Sequence, residues 1–433
     1  MKLTSSSFEP PLRSVWQATA GEAPEYPALA ASRRVDVAVI GAGYCGLVAA
    51  LELRDAGVDV AVVDVGQPGN GGSGRNGGQV WPGLKMLPAQ MQQRFGTQAA
   101  AAMAGFAARA ADAVFERVTR LGLDCEAQPG GVIRAAHSRA ALQGMLREAE
   151  PWQAAGDDIE PLDAARAQAL IGSPRYVGGL LHRRGGAVHP LRYARELARV
   201  AAARGAAVHG ASRVTRLQRD GGAWTLAFDD LPGKPALRAE RVLIATDAYT
   251  GDLLPGLSRS LIPLFSFQIA TRPLPTPVWA EVCPGGLPVS DSQKLLRYFR
   301  RGPGQRLLMG GRAPFKEQPQ IADAARLRAY VREVFPQLGD VDVEFCWGGR
   351  VGMTTDHIPR LTRPAPGVLA ALGFNGFGVG LATAFGGMAG ALLARETPPD
   401  YPVTPLQTVP LHAAHQLPVR ALIAAYTLME TLS

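Results

Sequence analysis

Seven residues near the start of the chain have types and spacing that can do chemistry. They are Gly41-Ala42-Gly43-Tyr44-Cys45-Gly46 and, 18 positions after Gly46, Asp64. Gly41 permits a tight turn, Gly43 lets backbone approach a pyrophosphate, and Gly46 lets a helix pack closely on a strand. A helix opening there aims its unbonded N–H groups and positive dipole end at phosphate. An acid at Asp64 is placed to accept hydrogen bonds from ribose hydroxyls. The chemistry expected is the grip of a dinucleotide. A second glycine-rich run, Gly71-Gly72-Ser73-Gly74-Arg75-Asn76-Gly77-Gly78, follows close behind. Further on, Arg300 and Arg312 are candidates to hold a carboxylate bidentately. Phe265, Gln268 and Tyr298 are their neighbours in a candidate substrate pocket, and His189 and His357 are candidate bases. Each of these also has an ordinary structural reading, as an ion-paired strand arginine or a packing histidine. Trp81 and Trp347 either line a pocket or fill the core.

The surrounding pattern supplies the elements that must position these residues. Val35 to Ile40 is apolar apart from Asp36, as a parallel strand buried on both faces nearly must be. Leu47 to Leu53 continues as a helix, and Val58 to Val63 forms a second strand ending at Asp64. Strand, glycines, helix, strand and acid stand in register, which a chance GxGxxG among 50 glycines does not produce. Leu191 to Arg204 reads as an amphipathic helix leading into a strand at Ala207 to His209. Ala223 to Phe228 and Leu237 to Ile244 read as strands of a small antiparallel layer returning to the parallel sheet. Lys294 to Arg300 is expected to pair with Arg306 to Arg312, and a helix is expected over Ile321 to Phe335. The nucleotide-binding sheet is thus started early, revisited in the middle and completed late. The boundaries expected are 1–90, 188–255 and 343–433 for the nucleotide-binding domain, and 91–187 and 256–342 for a mainly antiparallel substrate domain.

Composition narrows the function. A chain of 433 residues with 47% hydrophobic and 19% charged residues is globular and large enough for two domains. The net charge of +8 is spread along the chain without a basic helix, zinc spacing or aromatic strand motif, so no nucleic-acid partner is expected. Cys45, Cys125, Cys283 and Cys346 form no CxxC pair, which argues against a disulfide framework and a metal site. No signal peptide is legible, and the chain is expected to be cytoplasmic. Between Arg363 and Arg395 lie 31 residues without charge, but prolines and eight glycines interrupt them. A buried strand, glycine turn and buried helix are expected there, with no membrane span.

At this point the chain resembles the FAD-dependent amine and amino-acid oxidoreductases of the D-amino-acid oxidase, sarcosine oxidase and glycine oxidase type, with gamma-glutamylputrescine oxidoreductases the nearest in look. The motifs are Trp16-Gln17-Ala18-Thr19-Ala20, Gly41 to Gly46 and Ser73-Gly74-Arg75-Asn76-Gly77-Gly78-Gln79. Later come Ala245-Thr246-Asp247-Ala248-Tyr249, Trp347-Gly348-Gly349-Arg350, Thr355-Asp356-His357-Ile358-Pro359-Arg360 and Gly373-Phe374-Asn375-Gly376-Phe377-Gly378-Val379-Gly380. The resemblance implies an α/β fold: a Rossmann-like FAD-binding domain interleaved with the antiparallel layer. It implies that Ser73 to Gly78 passes the ribityl chain and flavin ring, with Arg75 near the phosphates or ring edge. Val214 would contact adenine, and Ala245-Thr246 would lie under the dinucleotide. Gly376-Phe377-Gly378-Val379 would open a helix at the flavin N1/C2=O edge.

The activity implied is oxidation of a primary or secondary amine by hydride transfer to flavin N5. The imine hydrolyses, and O2 or another acceptor takes the electrons. D-amino acids, N-methyl amino acids and pipecolate are alternative substrates, and a tRNA-modifying flavoprotein is a more distant one. A monomer or small homo-oligomer is expected. Relatives more often carry glutamate at the Asp64 position, and Asp247 is an acid without an assigned role. Gly349 stands where some sarcosine oxidases tether flavin through cysteine, so non-covalent FAD is expected. The strand Arg306 to Arg312 has no lysine where relatives place one to activate oxygen. Arg312, Arg350 and His357 are the candidate catalytic residues that remain.

Overall fold

The computed structural model describes residues 14–312, 319–396, 398–417, 419–421, 423 and 425–426, with Arg312 described through its backbone alone. The strand Arg33–Ile40, the helix Tyr44–Asp55 and the strand Val60–Val63 form the expected βαβ unit. All four residues of the second strand are buried, as a valine-rich strand with both faces covered must be. The helix buries Leu47, Val48, Leu51 and Leu53 almost completely. Each such side chain contributes about 1.5–3 kcal/mol relative to exposure.

Five strands run parallel in the order Ala207–His209, Val60–Val63, Arg33–Ile40, Ala236–Ile244 and Val368–Leu372. The hairpin Arg216–Asp220 with Ala223–Ala227 pairs antiparallel onto the first half of Ala236–Ile244, and Arg360–Ala365 borders Val368–Leu372. Register matters here more than order. Ile40 stands opposite both Val63 and Ile244, and Val63 opposite His209. The carboxyl ends of four strands therefore finish level, which is where open α/β sheets bind their ligands.

A second, mainly antiparallel sheet of eight strands stands beside the first. Its order runs Val343–Met353, Ile262–Thr271, Arg306–Arg312, Tyr298–Gly302, Val289–Asp291, Val132–Ala135, Gly179–His182 and Ile159–Leu162. The helix Ala325–Val334 covers one face, preceded by a 3-10 turn over Ile321–Ala324, so the helix expected from Ile321 is split. One expected boundary is corrected. Val343–Met353 pairs along its length with Ile262–Thr271, so it belongs to the second sheet, and the chain re-enters the first sheet only at Arg360. Expected strand Lys294 to Arg300 is also shifted, to Tyr298–Gly302.

The uncharged stretch forms the strand Val368–Leu372 and the helix Gly378–Arg395. That helix is long and apolar enough to cross a membrane, yet it packs against the first helix so closely that a Cβ on Gly386 would stand 2.5 Å from the Cys45 carbonyl oxygen. It is a core helix, and glycine is what lets the two backbones meet.

Candidate functional site

The level strand ends floor a cleft of about 3220 Å³. Gly41 to Cys45, Asp64, Ser73, Arg75 to Gly77, Val214, Ala245, Thr246 and Gly376 to Val379 line it together. Gly46 and Gly78 pack just behind. Gly41 has φ +111, and a Cβ there would sit 2.7 Å from the Ala245 carbonyl oxygen; a Cβ on Gly46 would run into the Gly41 carbonyl oxygen. The turn from first strand to first helix is therefore held flat against Ala245, leaving its outer side to the cleft. Asp64 accepts from the Ala42 N–H at 2.7 Å and the Gly66 N–H at 2.9 Å. Burial pushes its carboxyl up to about 6 despite those two bonds.

The Ser73–Gly78 loop is made rigid by its own polar groups. Asn76 donates from Nδ2 to the Gly72 and Ser73 carbonyls and accepts the Gly78 N–H at 2.8 Å on Oδ1. The Tyr44 hydroxyl lies between the Ser73 and Pro190 carbonyls. Outside the loop, Trp16 donates its indole N–H to the Asn76 carbonyl at 2.9 Å. Gln268 and Trp347 both donate to the Arg75 carbonyl, at 2.8 and 3.0 Å. The Trp16 motif and the Trp347 motif thus brace the same loop from opposite ends of the chain. At the far side, Gly376 has φ +92 with nothing within 4 Å of its missing side chain. The helix Gly378–Arg395 that follows has no side-chain cap, so its first N–H groups face the cleft.

Asp247 acquires a role that its sequence position hid. It adopts φ +40 and accepts the Gly373 N–H at 2.6 Å. Its carboxylate lies where a Cβ on Gly352 would fall. It ties the end of Ala236–Ile244 to the second sheet and to the turn before the closing helix.

A sequence profile described as FAD dependent oxidoreductase, DAO, matches residues 36–392. The chain belongs to this family. It is 33% identical over 372 residues to a probable oxidoreductase OrdL of Rhizobium meliloti strain 1021, covering 85% of each chain. It is 30% identical over 368 residues to gamma-glutamylputrescine oxidoreductase of Escherichia coli K12, covering 84% of this chain and 85% of the other. The crystal structure of glycine oxidase from Geobacillus kaustophilus superposes with a TM-score of 0.71 at 22% identity, over 87% of this chain and 99% of that one. The likeness in structure is one of fold. The protein is an FAD-dependent oxidoreductase of the class acting on amines or amino acids.

The residues present fit that cofactor. The glycine turn, the acid at the second strand's end and the uncapped closing helix occur in one cleft, and its volume exceeds the roughly 300–1,000 Å³ of an ordinary small-ligand pocket. The expected substrate residues divide. Phe265, Gln268, Tyr298, Arg350 and His357 line the same cleft. Phe265 stands opposite Arg350 in the sheet, and the Tyr298 hydroxyl meets Ser266 Oγ at 2.6 Å. The Arg350 guanidinium lies 5.3 Å from the Tyr249 ring centre. Burial and Lys85 hold His357 below the usual histidine range, so it is neutral at pH 7.

Arg300 is a correction. It does not reach the cleft. Its buried guanidinium donates to the carbonyls of Val188 at 2.9 Å, Gly78 at 3.2 Å and Arg301 at 3.0 Å. Burial lowers it to about 10, still protonated at neutral pH. It stitches the Ser73–Gly78 loop to the chain before Pro190 and is not available to a substrate carboxylate. The side chain of Arg312 lies outside the described residues. His189 is also accounted for: it is fully buried, caps the helix Pro190–Ala203 by accepting the Arg192 N–H, and meets Thr19 Oγ1 at 3.0 Å. Trp81 lines the cleft whereas Trp347 is core.

Proposed function

We propose that the enzyme oxidises a primary or secondary amine, of the gamma-glutamylputrescine type or an amino-acid amine, in a substrate domain formed by the second sheet. We also propose that the domain formed by the first sheet holds FAD without a covalent bond, and that the enzyme is cytoplasmic and works as a monomer or small homo-oligomer. The observation that carries the reading is the continuity of one cleft. It runs from the Asp64 end, past the Gly376–Val379 turn, to the aromatic wall of Phe265, Tyr298, Trp81 and Phe377.

FAD held by the Gly41–Cys45 turn, Asp64 and the Gly376–Val379 helix start would supply a two-electron acceptor for oxidising the amine to an imine, which water would hydrolyse to a carbonyl product. The chain's own part is positioning. The aromatic wall excludes water from one face, and the uncapped helix end presents N–H groups and positive dipole. Neutral His357 can accept a hydrogen bond from the amine. Non-covalent binding is supported by the cysteines: Cys45 lines the cleft at the glycine turn, and burial pushes its thiol up to about 12, while Cys346 lies within the second sheet's core. Arg300, committed to backbone carbonyls, is not offered as the partner of a substrate carboxylate.

The test is an amine and amino-acid panel assayed in parallel for hydrogen peroxide and for reduction of an artificial dye. Purified protein that stays colourless after FAD addition would overturn the cofactor reading. Turnover of no amine and no amino acid would overturn the activity reading. Peroxide release against dye reduction decides whether oxygen or another acceptor takes the electrons.

A further inference from the structure

The cleft continues beyond Trp81 into a side chamber between the helix Arg139–Ala154 and the outer strands of the second sheet. Met145, Ala149 and Trp152 of the helix line it, facing Ile159, Leu180 and His182. Trp81 is its gate. Its ring meets Phe377 edge-on at 6.2 Å and His182 edge-on at 5.5 Å, and its indole N–H is fixed on Gln79 Oε1 at 2.9 Å. Phe377 precedes the closing helix at the flavin end, so His182 lies at most two ring steps from it. That is the reach of about three residues of extended chain, at about 3.5 Å each. A group at His182 is therefore within reach of the far end of a long substrate whose other end lies beside Phe377.

The polar content of the chamber is specific. His182 Nδ1 meets Asp157 Oδ2 at 2.9 Å, and the Asp157 side chain is only 1% exposed. Asp157 Oδ1 has no partner among the described residues. Asp157 Oδ2 can accept the Nδ1 proton, which leaves Nε2 as an acceptor. The other ions on these walls cancel, since Arg134 is bonded to Glu148 at 2.7 Å. Lys85 and Lys294 are exposed on the rim. Inside stand the Asp157 carboxylate, with one oxygen unpartnered among the described residues, and two tryptophan faces, and both attract a cation.

We propose that this chamber receives a second ammonium group at the far end of an extended amine substrate, with His182 as the contact, Asp157 as the positioning charge behind it, and Trp81 and Trp152 as walls. The inference rests on the amine reading above and narrows its substrate class to long molecules with two amino groups.

The experiment compares straight-chain α,ω-diamines with n-alkylamines and ω-amino acids of the same lengths, in the holoenzyme. Once the chain is long enough to pass Trp81, kcat/KM for the diamine should exceed that for the monoamine by about tenfold or more. The gain should lie mainly in KM, because the contact is remote from the reacting carbon. In Asp157→Asn and in His182→Phe, which keeps the ring against Trp81, the diamine-to-monoamine ratio should fall toward one. The flavin spectrum and thermal midpoint of each variant report whether it is folded. Diamine titration of the anaerobic enzyme, followed at the flavin bands, gives a second readout. Equal turnover of diamine and monoamine at every length by the native enzyme would overturn the inference alone. Preference for the ω-amino acids would overturn it too and point to Arg134 instead. If no amine reduces the flavin, the amine reading and this inference fall together.

Discussion

Replacing Asp64 by asparagine separates two consequences of one buried carboxylate. Burial raises its proton affinity from the ordinary value of 3.8 to about 6. At about 1.4 kcal/mol per tenfold change, the ionised form costs the apoprotein about 3 kcal/mol at pH 8. The sign follows from proton uptake: between pH 4 and 6 the folded state binds the proton more tightly than the unfolded state. Stability therefore falls as pH rises through that window, and the cost is absent below it. The Asp64→Asn change removes the charge but leaves one acceptor for two N–H donors, those of Ala42 and Gly66. Losing one charge-assisted bond costs about 1.5–3 kcal/mol. The two effects nearly cancel at pH 8, whereas at pH 5 the loss should dominate. Urea unfolding of the apoprotein should show the variant gaining about 1–1.5 kcal/mol relative to wild type between pH 5 and pH 8. FAD binding, titrated by fluorescence quenching, should weaken about tenfold or more because a ribose hydroxyl loses a charged acceptor. A stability difference that is flat with pH would refute the buried-charge argument. An unchanged Kd for FAD would refute the assignment of Asp64 to the ribose.

Three further outcomes are expected. Gly46→Ala, whose Cβ would strike the Gly41 carbonyl, should cost about 1–3 kcal/mol and leave purified protein with less bound FAD, read from the flavin-to-protein absorbance ratio. Arg300→Met strands carbonyls around the Gly77–Gly78 turn and should cost about 3 kcal/mol, read as a lower thermal midpoint; a normal midpoint with altered substrate preference would return Arg300 to the substrate site. His189, held at about 3 by burial and nearby arginines, stays neutral while its unfolded counterpart charges below pH 6.5. Stability should therefore drop as pH falls from about 6.5 toward 3, less steeply in His189→Gln, and an identical slope in denaturant midpoints would dismiss the capping assignment.

The βαβ unit that carries the glycine turn and Asp64 was legible because its signals are local. Gly41 to Asp64 encode turn, helix and strand within one βαβ unit, and the structure places them on level strand ends. The substrate half was legible in part. Tyr298 and Arg300 point to the same strand face, yet Tyr298 lines the cleft and Arg300 does not. What separates them is the Gly77–Gly78 turn lying over Arg300, a contact across more than 200 residues that no period in the sequence expresses. His182 and Asp157 meet because Ile159 pairs with His182 across strands separated by a helix. Neither residue carries a spacing signal. Asp247 was visible as a departure from its relatives, but its partner Gly373 lies 126 positions away.

The level strand ends have a cost during synthesis. The strand Arg33–Ile40 leaves the ribosome early, but its neighbour Ala236–Ile244 follows roughly 200 residues later. At about 5–20 residues per second, this interval is about 10–40 s. For that time a strand with an apolar second half has one unpaired edge, the kind of surface that pairs with other nascent chains. Contacts so distant in sequence also make folding slow. A cofactor able to hold the early βαβ unit together would shorten that exposure, so the supply of flavin to a cell expressing this chain should influence how much soluble protein it yields, before any question of catalysis arises.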